Sequence, residues 1–193
     1  MLDKNYWDTR YSQNDTGWDI GYVSGPIKRY VDGLTDKDLR VLIPGCGNAY
    51  EAEYLLQKGF TNVTLIDISP FPVAAVKEKL KDFVGKELDV ICGDFFELDE
   101  KFDLILEQTF FCALDPSLRE NYVNKMAELL NENGRLAGVL FNRDFEGGPP
   151  FGGTQGEYEP LFKDKFDIHK MAPCYNSIGP RAGTELFIEL IKR

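Results

Sequence analysis

Histidine is almost absent from this chain. His169 is the only one in 193 residues, and the four cysteines, Cys46, Cys92, Cys112 and Cys174, lie far apart. No C-x-x-C pair occurs, so neither a zinc site nor a disulfide framework is indicated. No Ser-His-Asp or Cys-His order is suggested either. Positive charge is scarce: 22 Lys and Arg stand against 32 Asp and Glu, for a net charge of −10. Phosphate binding needs clustered Lys and Arg, so a nucleic-acid partner is not expected. No apolar run approaches a membrane span, and Met1-Leu-Asp-Lys-Asn-Tyr-Trp7 lacks the apolar stretch of a signal peptide. The expectation is a cytoplasmic monomer with reduced thiols, in which each cysteine is a small buried apolar residue.

What is present is a nucleoside-binding pattern. Leu39-Arg-Val-Leu-Ile-Pro44 is an apolar burst that runs into a turn with Gly45 and Gly47. A helical pattern follows, and then Thr64-Leu-Ile-Asp-Ile-Ser69 places Asp67 at the end of a second burst. That is a βαβ unit with a ligand-binding turn. Glycine lets the backbone approach a ligand closely, and the helix start offers free N–H donors. A carboxylate at Asp67 can accept from both ribose hydroxyls. Tyr50 stands where a dinucleotide fingerprint has its third glycine, and no basic residue lies in the turn to meet a phosphate. S-adenosylmethionine, which carries no phosphate, fits better than a dinucleotide. A plain strand–turn–helix without ligand remains open.

Strand and helix patterns then alternate. Strands are predicted at 39–43, 62–67, 88–92, 102–107 and 135–141, and helices at 50–58, 70–84, 117–131 and 156–163, with Asn133-Gly134 marking a turn before the fifth strand. Residues 166–173 and 184–191 read as two more strands with no helix between them. Alternation implies a parallel sheet, and the last pair a closing hairpin with an antiparallel edge. That order resembles the plan of the class I methyltransferases: an α/β, Rossmann-like, seven-stranded sheet, mostly parallel with an antiparallel last strand and helices on both faces. One domain over 1–193 is expected, with a lid and helix in 1–34 and the core in 35–193. The stretch to about residue 23 shows no regular pattern. Asn142–Gly156 reads as a glycine- and proline-rich binding loop, or alternatively a linker, although Phe145, Phe151 and Tyr158 argue against the latter.

Five pieces now occur in one order: Trp18-Asp19-x-Gly21, Pro44-Gly-Cys-Gly47, Gly93-Asp-Phe-Phe96, Thr109-Phe-Phe-Cys-Ala113 and Gly147-Gly-Pro-Pro150. Together they resemble the thiopurine S-methyltransferase superfamily, in particular the thiol and halide methyltransferases called the "harmless to ozone layer" type. The resemblance runs from Trp7 to Glu185. It implies methylation of a soft nucleophile by S-adenosylmethionine, with S-adenosylhomocysteine as product. The acceptor would be a small molecule, most plainly a thiol, with thiopurines, hydrosulfide, halides and thiocyanate open.

The resemblance also implies residue roles. Trp7, Tyr11 and Trp18 keep the spacing of three aromatics that line the family's cofactor site, with tyrosine in the middle place. Aromatic faces hold a sulfonium and exclude water. Gly45 and Gly47 match the turn at the methionine end, Asp67 the ribose-binding acid, and Asp94 with Phe95 the adenine clamp. Glu107-Gln108 stands where relatives often show Asp-Tyr, so Gln108 takes the tyrosine's place at the pocket mouth. Asp144 matches an acid that relatives carry before Gly-Gly-Pro-Pro, while Phe145 replaces their histidine. Arg181 matches a basic residue before the last strand, facing an anionic acceptor or forming a surface ion pair. Arg181 and Asp144 are thus the candidate catalytic residues, and no metal is implied.

A soft anion needs little activation, so alignment and exclusion of water suffice for transfer. His169, in a strand pattern, reads as structural or exposed rather than as a base. Two other readings stay open. One is a nucleotide-dependent oxidoreductase, and the other a cofactor-binding module without turnover.

Overall fold

The computed structural model describes residues 2–193. Its centre is a seven-stranded sheet in the order β3-β2-β1-β4-β5-β7-β6. The strands are β1 (Arg40–Pro44), β2 (Asn62–Asp67), β3 (Leu88–Cys92), β4 (Phe102–Gln108), β5 (Leu130–Phe141), β6 (Phe166–Pro173) and β7 (Glu185–Lys192). Neighbours from β3 through β5 pair in parallel, and β7 runs antiparallel to both β5 and β6. The predicted sheet class is therefore the one observed.

Alternation along the strands explains the layers, since successive side chains point to opposite faces. Val41 and Ile43 enter one core and Leu42 the other; Leu104 and Leu106 enter one and Ile105 the other. The first core is covered by α2 (Gly25–Asp32), α3 (Tyr50–Gln57) and α4 (Pro70–Lys79), through Ile27, Val31, Leu55, Val73 and Val76. The second is covered by α5 (Arg119–Leu129) and α6 (Gln155–Phe162), through Tyr122, Met126, Tyr158 and Phe162. Leu55 and Phe60 are 0% and 1% exposed, and burying side chains of this size contributes roughly 1.5–3 kcal/mol each. Two-sided burial is why the central strands read as continuous apolar runs. The chain reverses its order at β1, between β2 and β4, and the crevice at such a reversal is where doubly wound sheets bind ligands. Among the described residues no helix is long and apolar enough to cross a membrane.

Three expectations change. The stretch before residue 23 holds a helix, α1 (Lys4–Ser12), whose N-terminus Asp3 caps by accepting from Tyr6 N at 3.0 Å. None of its residues is fully buried, so no apolar stripe announces it. α4 stops at Lys79 rather than 84, where the chain turns through Leu80, Phe83 and Gly85 (φ +76°). Asn133-Gly134 is not a turn ahead of β5 but a bulge within it. Leu130 already pairs with Phe102, Asn133 takes φ +59°, and regular pairing resumes at Arg135 opposite Leu104.

Candidate functional site

The site begins where β1 ends. Gly45, Gly47 and Ala49 take φ of +58°, +48° and +54° in succession. A Cβ on Gly45 would lie 2.4 Å from the Phe110 ring, so only glycine fits there. Ala49 is the N-cap of α3 and gives it no side-chain cap, so the first amides of that helix stay open to a ligand. At the end of β2, Asp67 is 6% exposed. It accepts from Gly47 N at 3.1 Å and Ser69 N at 2.9 Å, while burial raises its pKa. Burial likewise pushes the Cys46 thiol up, leaving it a neutral wall group.

The N-terminal segment lies across this crevice. Trp18 meets Trp7 and Tyr11 edge-to-face at 5.6 and 5.7 Å, and the Arg10 guanidinium sits 5.1 Å from the Trp18 ring. Asp8 on α1 accepts from Ser69 Oγ at 2.7 Å. Asp19 accepts from Asn48 Nδ2 and from the Tyr50 hydroxyl. Arg181 donates to the Trp18 carbonyl at 2.9 Å. The segment is therefore tied down at both of its ends and from the far side of the crevice.

At the next strand end, Asp94 caps a short turn by accepting from Phe96 N at 2.9 Å. Phe95 is buried, edge-to-face with Phe110 at 5.1 Å. β4 then sends two side chains opposite ways. Gln108 borders the crevice and accepts from Ser24 Oγ at 2.8 Å. Glu107 is fully buried and accepts from Phe110 N, Phe111 N and the Tyr122 hydroxyl at 2.8, 3.0 and 2.6 Å. Burial lifts its pKa to about 7 against the pull of these three donors. Glu107 thereby fixes the loop Thr109–Ala113.

These parts enclose one cavity of about 660 Å³, within the usual range for small-molecule sites. Trp7, Tyr11, Trp18, Gly45, Gly47, Asp67, Asp94, Phe95, Gln108 and Arg181 all border it. Arg181 is not on the surface: its side chain is 13% exposed and lies 3.6 Å from Glu185, itself 5% exposed. Asp144 is the exception. It is exposed and does not border the cavity, whereas Arg143 and Phe145 do. The segment here is extended, with Arg143 bridged to Gly153, so alternate side chains face the cavity and Asp144 faces away. His169 lies exposed on β6, 3.7 Å from Glu189.

A family model for thiopurine S-methyltransferase matches residues 2–185. The chain belongs to the thiopurine S-methyltransferase family. It is 32% identical to a probable thiol methyltransferase 2 of Arabidopsis thaliana over 184 residues, 93% of this chain and 81% of that one. It is 29% identical to a thiopurine S-methyltransferase of Vibrio vulnificus, over 84% of this chain and 82% of the relative. Among solved structures it is similar in fold to the 1,6-didemethyltoxoflavin-N1-methyltransferase of Burkholderia thailandensis, with a TM-score of 0.76 and 19% identity, covering 98% of this chain and 86% of that one. The protein is thus a methyltransferase of this family, and its methyl donor is S-adenosylmethionine.

The methyltransferase's residues suit that donor. Gly45, Cys46, Gly47, Asn48 and Ala49 of the turn all border the cavity, and no Lys or Arg comes from the turn to meet a phosphate. Several polar residues at the cavity had been given no role, among them Arg10, Asp19, Asn48, Glu51 and Arg143. Asp19 lay inside a quoted motif without a role. Glu51 carried a weak signal, a carboxylate in the first turn of the helix after the glycines. Arg143 carried none.

Proposed function

We propose that the enzyme methylates the sulfur of a small thiol. The observation that carries this is the composition of the cavity of about 660 Å³. Its cofactor half is a nucleoside cradle of Gly45, Gly47, Asp67, Asp94 and Phe95. The wall contributed from the end of β4 onward includes Phe110, Phe141, Phe145, Pro149 and Pro150 and adds no carboxylate, and no imidazole borders the cavity among the described residues. A soft anion that ionises by itself needs no base there.

When bound, S-adenosylmethionine supplies a methyl group on a sulfonium, and displacement by a thiolate forms the new sulfur–carbon bond and leaves neutral S-adenosylhomocysteine. In this reading Asp67 accepts from the ribose, and Asp94 accepts from the adenine amine while Phe95 packs on the ring. Gly45 and Gly47 face the methionine end. Trp7, Tyr11 and Trp18 cover the sulfonium with aromatic faces and keep water out. Gln108 borders the transfer point, and Arg181, held by Glu185, lends positive potential to the thiolate. Asp144 takes no direct part. Residues 1–34 act as lid and helix over the core 35–193 in a single domain. We further place the protein in the cytoplasm as a monomer, in keeping with four free cysteines, three of them buried.

The test is release of S-adenosylhomocysteine with a panel of aryl and alkyl thiols, hydrosulfide, thiocyanate, iodide and thiopurines. Turnover with thiols above the others supports the reading. Turnover confined to halides or thiocyanate, or absent throughout, rejects it.

A further inference from the structure

We infer that Arg143 sets acceptor specificity by reading a carboxylate remote from the sulfur of the acceptor thiol. This rests on the S-methyl transfer proposed above and adds what the acceptor carries. The charged residues bordering the cavity are unevenly spread along the chain. The cavity's five carboxylates, Asp3, Asp19, Glu51, Asp67 and Asp94, come from the N-terminal segment, the glycine turn with the start of α3, and the ends of β2 and β3. The wall built from the end of β4 onward contributes no carboxylate and two arginines.

Those two arginines differ. Arg181 is committed, because it is nearly buried, paired with Glu185 and bonded to the Trp18 carbonyl. Arg143 is exposed, and none of the ion pairs among the described residues includes it. The one hydrogen bond of its guanidinium is a long one, from Nε to the Asp144 carbonyl at 3.4 Å. The guanidinium instead lies 4.6 Å from the Phe145 ring, and its outer nitrogens have no hydrogen-bond partner among the described residues, while Arg143 borders the cavity. Phe145 in turn stands edge-to-face on Phe141 at 4.9 Å. A flat aromatic ring fits beside these two phenylalanines, and a carboxylate on its far edge fits the fork of Arg143. In a chain of net charge −10, an uncompensated arginine at the entrance also draws an anion past the general repulsion.

The test compares para-mercaptobenzoate with thiophenol in the full-length enzyme. The readout is the ratio of their kcat/KM values, because damage to folding or to the cofactor site affects both acceptors alike. Wild type should favour the carboxylate, and the preference should shrink as salt is raised. Arg143→Gln should lower the ratio by about five- to tenfold, as for an exposed but bidentate ion pair. Arg143→Lys should restore part of it, and Arg143→Glu should reverse the preference. A ratio unchanged within about twofold in the Gln and Glu variants overturns the inference while leaving S-methyl transfer intact. If wild type turns over neither of these nor any other thiol of the panel, S-methyl transfer itself fails. Calorimetry of para-(methylthio)benzoate and thioanisole on protein loaded with S-adenosylhomocysteine then decides about Arg143. Weakening of the carboxylate alone in Arg143→Glu supports the assignment, and equal affinities in wild type and variant reject it.

Discussion

Glu107 offers a prediction whose size follows from the structure. Its carboxylate is fully buried, and it accepts from two backbone N–H groups and the Tyr122 hydroxyl. Burial raises its pKa from 4.5 to about 7. The folded chain therefore holds the proton to a higher pH than the unfolded chain. The stability this group contributes is full below 4.5 and is lost as pH rises through about 7. At about 1.4 kcal/mol per unit, the loss between about pH 5 and pH 8 is about 2–3 kcal/mol. Glu107→Gln removes the titration but keeps the geometry. Its carbonyl still faces the backbone N–H groups, and its amide can donate to the Tyr122 oxygen. Urea unfolding of both proteins across this range should show wild type losing about 2–3 kcal/mol relative to the variant as pH rises. Parallel curves would refute the argument. Glu107→Ala orphans all three donors and should cost about 4 kcal/mol or more, at roughly 1–3 kcal/mol for each unsatisfied group.

Asp67→Ala should weaken S-adenosylhomocysteine binding by roughly 1.5–3 kcal/mol, the range for hydrogen bonds to a charged group; calorimetry on a variant shown to be folded reads it, and unchanged affinity removes Asp67 from the site. Adding S-adenosylhomocysteine should change tryptophan fluorescence through Trp7 and Trp18 and slow proteolysis before residue 24, whereas equal cleavage rates with and without it would count against a lid. His169→Gln should leave turnover nearly intact, and the pH–rate profile should follow the ionisation of each thiol, near 8.5 or so for an alkyl thiol and lower for thiophenols. One enzyme pKa governing every acceptor and vanishing with His169 would show that a base is used.

The sheet was legible because its central strands are buried on both faces and its edge strands still carry buried apolar residues at intervals. β2, β3 and β6 fall at the residues predicted, each bounded by polar or turn residues that end the pattern. α1 was illegible for the opposite reason. Its aromatics meet Trp18 and the cavity wall rather than a core, so no periodicity marks it. Asn133-Gly134 misled because a residue with positive φ serves a bulge as well as a turn. At the site, glycines and strand-end acids are readable, since backbone geometry fixes where they must lie. Whether Arg143 or Asp144 faces the cavity depends on the bridge to Gly153, a contact ten residues along the chain that motif matching does not register. Asp19 was visible as a letter in a motif, yet its partners Asn48 and Tyr50 lie about thirty residues away and only the fold brings them together.

The central claim is transfer of a methyl group from S-adenosylmethionine to sulfur. Incubating the enzyme with donor labelled by deuterium in the methyl group and with thiophenol, then locating the label by mass spectrometry, tests it most directly. The account predicts labelled methyl phenyl sulfide and one S-adenosylhomocysteine for each sulfide formed. Tight binding of S-adenosylhomocysteine with no labelled sulfide from thiophenol or any other thiol would contradict it.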